Sequence, residues 1–238
     1  MADTLVTRTN ADYAGIVADE AEATSSDGTR VPLSILRRKD AAADGSHPTI
    51  VSGYAGYGIY ETPSFSATRL AWLERGGIIA ECHGRGGDAK GHAWQLDGTH
   101  EHKMNGIHDF EACAQAIIDA RLSSPAHIFA QGASMGEILV GRALTDRPDL
   151  FAAVNISVGM VDPVRLLAAE NGANQIAELG DPETEAGFKA LVAMDPYRHV
   201  VAAPYPATIF TIGLKRQPGR AVWSFFLAAS GDREFRPR

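Results

Sequence analysis

Cysteine is scarce: the 238-residue chain has only Cys82 and Cys113, in neither a CxxC nor a zinc-ligand spacing. Reduced thiols in a cytosolic (cytoplasmic) compartment are therefore the expectation. Long apolar runs are missing too. No stretch approaches 18 apolar residues, so no transmembrane helix and no membrane partner are expected. Met1 to Asn10 carries an acid and polar threonines ahead of any apolar stretch, which is not the pattern of a signal peptide. Positive charge is in deficit, with 22 Lys+Arg against 29 Asp+Glu for a net −7. That excludes nucleic acid as the main partner, because phosphate neutralisation needs a clustered basic excess. What remains is an ordinary globular composition. It is 45% hydrophobic, enough for one sizeable core.

Short β-rich runs alternate with helical ones. Val31–Arg37, Thr49–Val51 (stopping at Gly53), Ile78–Ala80, Ala126–Ala130, Ala152–Ser157 and Thr208–Ile212 read as strands. Arg69–Arg75, Asp109–Leu122 and Ile138–Leu144 read as helices, the second with Phe110, Cys113, Ile117 and Ile118 on one face. His108-Asp109 is expected to open that helix, where a carboxylate suits the N-terminus. The alternation predicts an α/β fold with a mainly parallel sheet covered on both faces. Residues 1–22 read as a lead-in, 23–214 as the domain and 215–238 as an atypical tail, with no internal repeat.

Gly132-Ala133-Ser134-Met135-Gly136 directly follows a predicted strand and opens a predicted helix. GxSxG in that setting is a nucleophile elbow. The serine sits on a sharp turn, and the flanking glycines let backbone approach without Cβ clashes. The helix N-terminus then aims N–H groups at the place where an acyl oxyanion would form.

From this elbow to Arg147-Pro148-Asp149-Leu150-Phe151 the sequence resembles the peptidase domain of the prolyl oligopeptidase family of serine hydrolases. The resemblance begins at Ala23–Leu33. It continues through Gly53-Tyr54-Ala55-Gly56-Tyr57-Gly58, Thr62–Ser66 and Arg85-Gly86-Gly87, and reaches Asp195-Pro196-Tyr197 and Tyr205–Thr208. It implies an α/β-hydrolase fold with Ser134 as nucleophile. Tyr54 would give a phenolic hydroxyl, and Met135 its backbone N–H, to the oxyanion hole. Tyr57 would form an aromatic wall of the specificity pocket. The implied substrate is a small ester or peptide (acyl-amide), with no cofactor and no metal. Nothing in the sequence fixes an oligomeric state.

Departures from the family pattern are as informative. The chain has no room for the family's β-propeller. Glu137 stands where a small residue usually follows the motif, and its carboxylate either opposes a developing oxyanion or points to solvent. Gln175 falls where proline-cleaving members stack a Trp on the substrate, which favours an ester or acyl group over a prolyl bond. The triad order Ser, Asp, His puts the acid after the Thr208–Ile212 strand and the base nearer the C-terminus. There the resemblance stops at Leu214. Lys215–Val222 offers no acid, and His199 is the only histidine after Ser134, so the triad Asp and His are expected to be absent. Shifting the reading frame by one nucleotide at Lys215 converts Lys-Arg-Gln-Pro-Gly-Arg-Ala to Asn-Asp-Ser-Arg-Val-Ala-Pro, an acid-bearing loop of the family type. A frameshift is therefore the expected origin of the tail, and the alternative reading of the chain is a catalytically impaired remnant or a binding domain.

Other signals carry less. Five histidines between residues 83 and 108 lack metal-ligand spacing. The 53–58 glycines run GxxGxG rather than in dinucleotide order. Arg85 is expected to brace loops beside the site rather than bind an anion.

Overall fold

The structure, a computed structural model, describes residues 12–61, 66–157, 160–169 and 171–211. Seven strands form one sheet: β1 (Ile16–Thr24), β2 (Arg30–Arg38), β3 (Thr49–Gly53), β4 (Ile78–Cys82), β5 (Ile128–Ala133), β6 (Ala153–Ser157) and β7 (Ala207–Thr211). Their order is β1-β2-β4-β3-β5-β6-β7. β1 and β2 join antiparallel, and β4 through β7 pair in parallel. The helices are α1 (Ala67–Glu74), α2 (His92–Leu96), α3 (Lys103–Asp119), α4 (Gly136–Asp146), α5 (Pro163–Leu166), α6 (Ile176–Leu179) and α7 (Glu185–Met194).

The strand alternation sorts the two faces. Thr49, Val51 and Gly53 stand in register with Ile128, Ala130 and, through β6, with Val154 and Ile156. This face is buried against α3 and α4: a Cβ on Gly53 would lie 3.2 Å from both Phe110 and Leu139. Each such large apolar side chain taken out of water contributes about 1.5–3 kcal/mol. The opposite face is more open, with Ile50 and Ser52 half-buried and Gln131 and Ala133 exposed. There α1 packs at the β2 and β4 end, where the Trp72 indole donates to the Ile78 carbonyl at 2.9 Å.

Two elements depart from the sequence reading. β1 takes in Ile16–Glu22 of the segment read as a lead-in, as an acidic edge strand paired along its length with β2. α3 begins at Lys103, six residues before Asp109, which lies fully buried in mid-helix. The N-terminal role expected for Asp109 is therefore wrong; its partner is Arg85, not a helix end. The tail 215–238, the expected acid loop and Thr62–Phe65 lie outside the described residues.

The expectation of reduced thiols is corrected as well. Cys82 of β4 and Cys113 of α3 form a disulfide, with Cα atoms 5.9 Å apart, within the range such a bond spans. This removes the cysteine-based reason for a cytosolic compartment. Closing a 31-residue separation constrains the unfolded chain by about 3–4 kcal/mol in the loop-entropy treatment. Thiol titration of the denatured, unreduced protein should count no free thiol, and two after reduction. Two thiols without reductant would contradict the bond. Among the described residues no helix is long and apolar enough to cross a membrane.

Candidate active site

Only two residues, Ser134 and Met135, separate β5 from α4, and the turn they make is tight. Ser134 is held at φ 55°, in the left-handed region that costs a non-glycine residue conformational energy. The glycines on either side are required by contact. A Cβ on Gly132 would sit 2.2 Å from the Gly136 carbonyl oxygen, and one on Gly136 would sit 2.7 Å from that of Gly53. The Ser134 N–H donates to the Ser157 carbonyl on β6 at 3.1 Å, which ties the turn to the neighbouring strand. The first turn of α4 follows, with Glu137 N–H donating to Ser134 and Ile138 N–H to Met135, both at 3.1 Å. Ser134 is exposed and Met135 fully buried. Among the described residues the hydrogen bonds of this turn do not include the Met135 N–H.

Beside Ser134 opens a cavity of about 450 Å³, with Tyr54 on its wall and Gln131, Trp72 and Arg69 around it. Tyr54 begins the loop after β3. In that loop Ala55 and Tyr57 both take positive φ, 49° and 55°, and the Tyr54 and Tyr57 rings lie 6.5 Å apart. The Tyr57 hydroxyl donates to Gln175 Oε1. Burial, with the nearby Glu178 charge and then Tyr54 adding to it, pushes Tyr57 up to about 12, so the neutral phenol is present at physiological pH.

Glu137 does not point to solvent. It is fully buried, and Oε2 accepts the Met160 N–H from the segment after β6. The carboxylate is thus engaged with backbone on the flank of α4. Further out, Asp162 and Asp195 form a buried acidic pair. Asp162 accepts from the Arg165 N–H and Asp195 from the Arg198 N–H. Burial first, then the Asp162 charge, pushes Asp195 up to about 7. The unfolded chain would release that proton near 3.8, so between pH 4 and pH 7 the folded state holds one proton more and stability falls as pH rises. Asp195→Asn should therefore raise the melting temperature at pH 8 and change it much less at pH 4; equal shifts at both pH values would contradict the pairing.

Arg85 braces loops, as expected. Its guanidinium, 2% exposed, binds Asp109 at 2.7 and 2.9 Å, Asp27 at 2.6 Å and Asp97 at 3.2 Å. The histidines of residues 83–108 are spread over separate contacts. His83 Nε2 meets Ser34 Oγ at 2.8 Å, His92 meets Gln95, and His100 meets the Ala177 carbonyl. Among the described residues no group of three or more His, Cys, Asp or Glu is placed to hold a metal ion. His199 sits after α7 with Nδ1 on the Asp195 carbonyl at 2.8 Å. Among the described residues no histidine hydrogen-bonds the Ser134 hydroxyl. The sequence reading overlooked two groups at this site, Lys103 and Glu178, which are 75 residues apart and meet as a buried pair.

A mostly parallel sheet with an exposed serine on a strand–helix elbow defines the class as the α/β-hydrolase fold. The chain belongs to the prolyl oligopeptidase family, whose sequence profile matches residues 63–215. It is 37% identical over 206 residues to an uncharacterized peptidase, y4nA, of Sinorhizobium fredii, covering 86% of this chain and 28% of the relative. It is 34% identical over 195 residues to a prolyl endopeptidase of Elizabethkingia miricola, covering 81% and 28% respectively. The chain thus spans 28% of the length of these two curated relatives. Among solved structures, one from a study of two prolyl endopeptidases superposes with a TM-score of 0.88 at 32% identity, over 94% of this chain and 34% of that one. Oligopeptidase B of Trypanosoma brucei with covalently bound antipain gives 0.81 at 32% identity, over 84% and 29%.

Proposed function

We propose that the chain carries the nucleophile and oxyanion hole of a serine hydrolase that cleaves a small ester or a peptide-type acyl-amide. The observation that carries this reading is Ser134, exposed at positive φ between a strand and a helix start and open to a cavity it shares with Tyr54. Ser134 Oγ attacks the acyl carbon, and the carbonyl π pair moves onto oxygen. The Oγ proton passes to a general base, a role that none of the chain's eight histidines fills by bonding Ser134 in this structure. The base returns the proton to the leaving group as its bond to the acyl carbon breaks, and water then hydrolyses the acyl-enzyme by the same route. The Met135 N–H and the Tyr54 hydroxyl donate to the oxyanion, aided by the N-terminus of α4. Tyr57, bonded to Gln175, does not line the cavity that Ser134 shares with Tyr54, and the polar Gln175 in place of a stacking Trp favours a substrate other than proline. The covalently bound antipain of the oligopeptidase B structure, a neighbour at 32% identity, supports a nucleophile in this fold.

A second reading is favoured by one observation: among the described residues no histidine bonds Ser134. On it, the chain is a remnant whose pocket outlives its chemistry. Hydrolysis of p-nitrophenyl butyrate and of aminoacyl p-nitroanilides separates the two. The hydrolase reading expects turnover that Ser134→Ala lowers by about 10³-fold or more. Equal rates for the two proteins would establish the remnant.

A further inference from the structure

Lys103 is an unusual residue for its place. It opens α3, is 4% exposed, and its ammonium is disfavoured by burial. Its Nζ donates to the Ala55 carbonyl at 2.7 Å and to Glu178 Oε1 at 2.6 Å. Glu178, 3% exposed on α6, uses its other oxygen to accept the Tyr57 N–H at 2.9 Å. One ion pair therefore grips the 54–58 loop at two adjacent backbone groups, the Ala55 carbonyl and the Tyr57 amide. Those are the two non-glycine residues that the loop holds at positive φ. The residue between them is pinned too, since a Cβ on Gly56 would lie 2.4 Å from Met135 Cγ and 3.3 Å from Glu178 Oε1. Gln175, one turn before Glu178, takes the Tyr57 hydroxyl. At the near end of the loop, Gly136 packs against Gly53 and the Tyr54 Cα. Loop, elbow and the 172–179 segment thus share one contact network.

A buried ion pair is a poor stabiliser, because desolvation offsets most of its attraction, whereas it fixes geometry well. We propose that Lys103 and Glu178 are positioning residues: their pair holds the 54–58 loop in its left-handed conformation, which sets the Tyr54 hydroxyl relative to Ser134 and the Met135 N–H. This rests on the hydrolase reading above. Neither residue touches the acyl group; both act through Tyr54.

The test uses the full chain. Single truncation leaves an uncompensated buried charge and can unfold the protein, so the decisive variant is the double Lys103→Met/Glu178→Leu. It keeps volume and removes both charges, an exchange that buried pairs tolerate. Two readouts are taken at matched melting temperature. Hydrogen exchange of the peptide spanning residues 54–60 is expected to accelerate in the double variant, because the Tyr57 amide loses its acceptor. Labelling of Ser134 by a fluorophosphonate is expected to slow by about 10- to 100-fold, short of the full loss of an oxyanion donor. In a Tyr54→Phe background the same double variant should slow labelling little further, since residues acting through one group are not additive. Unchanged exchange, or equal slowing with and without the Tyr54 hydroxyl, would overturn the proposal. An unlabelled wild type would instead overturn the hydrolase reading, and the exchange result would still decide whether the pair holds the loop.

Discussion

Replacing Arg85 by methionine is expected to cost the fold about 3–5 kcal/mol, the loss seen when one partner of a buried pair is removed. The reason lies in Asp109, which is fully buried in α3 and accepts three hydrogen bonds from Arg85, one from its backbone N–H and two from its guanidinium. Methionine leaves the backbone bond alone to compensate a carboxylate without access to water. Burial disfavours the Arg85 charge, yet the Asp109 and Asp27 hydrogen bonds outweigh it and hold the guanidinium above its ordinary value. Lysine should not rescue the site, because one ammonium cannot reach Asp109, Asp27 and Asp97 in a planar fork. Asp27→Asn should cost far less, about 1 kcal/mol or under, since Asp27 is 45% exposed and its pair is partly screened. The Arg85 hydrogen bond holds Asp27 well below the usual carboxylate range, so its contribution is present at neutral pH and fades as pH falls below 3.8. Urea unfolding at pH 7 checks this ordering. A lysine variant within 1 kcal/mol of wild type, on the scale of an exposed pair, would contradict it.

Gly132→Ala should be the most damaging single methyl in the molecule's elbow. The new Cβ would stand 2.2 Å from the Gly136 carbonyl oxygen and 2.8 Å from Val140 Cγ2. The first neighbour is backbone at the start of α4, so relief requires the helix to move off β5. Overpacking of this kind costs about 1–3 kcal/mol. Its effect on chemistry is larger than its effect on stability, because the displaced elements are the two that aim Ser134 and the Met135 N–H. Labelling of Ser134 should fall by about 10²-fold or more while the protein still melts cooperatively, since small misplacements of reacting groups carry such penalties. Gly15→Ala, where a Cβ meets nothing within 4 Å, is the matched control and should change neither quantity. A Gly132→Ala protein that labels at the wild-type rate would show that the tight turn is not what positions the serine.

The parts of the molecule written in short range were legible in the sequence. β3 announced itself as an apolar run closed by Gly53 and β4 as one that follows Gly76-Gly77, and the spacing of Gly132, Ser134 and Gly136 between a strand and a helix has a mechanical use. What sequence reading missed depends on contacts distant in the chain. β1 passed for a lead-in because it carries Asp19, Glu20 and Glu22; only its pairing with β2 makes it a strand. Asp109 looked like a helix-opening acid because Arg85, the group that makes its burial tolerable, lies 24 residues earlier. Glu137 was read as solvent-facing or opposing the oxyanion, since its Met160 partner follows a whole further strand. Lys103 and Glu178 gave no signal at all: each looks like a surface residue until the fold brings them to 2.6 Å. The disulfide was hidden for the same reason, because register, not spacing, sets Cys82 against Cys113.

The central claim is that Ser134 is a nucleophile poised by its turn, and the measurement that tests it most directly is the site of covalent modification. The full chain is treated with a fluorophosphonate and digested, and its peptides are sequenced by mass spectrometry. The account predicts one adduct, on Ser134, formed by the folded protein and lost on unfolding. A folded chain that stays unmodified, or takes the label elsewhere, would contradict it.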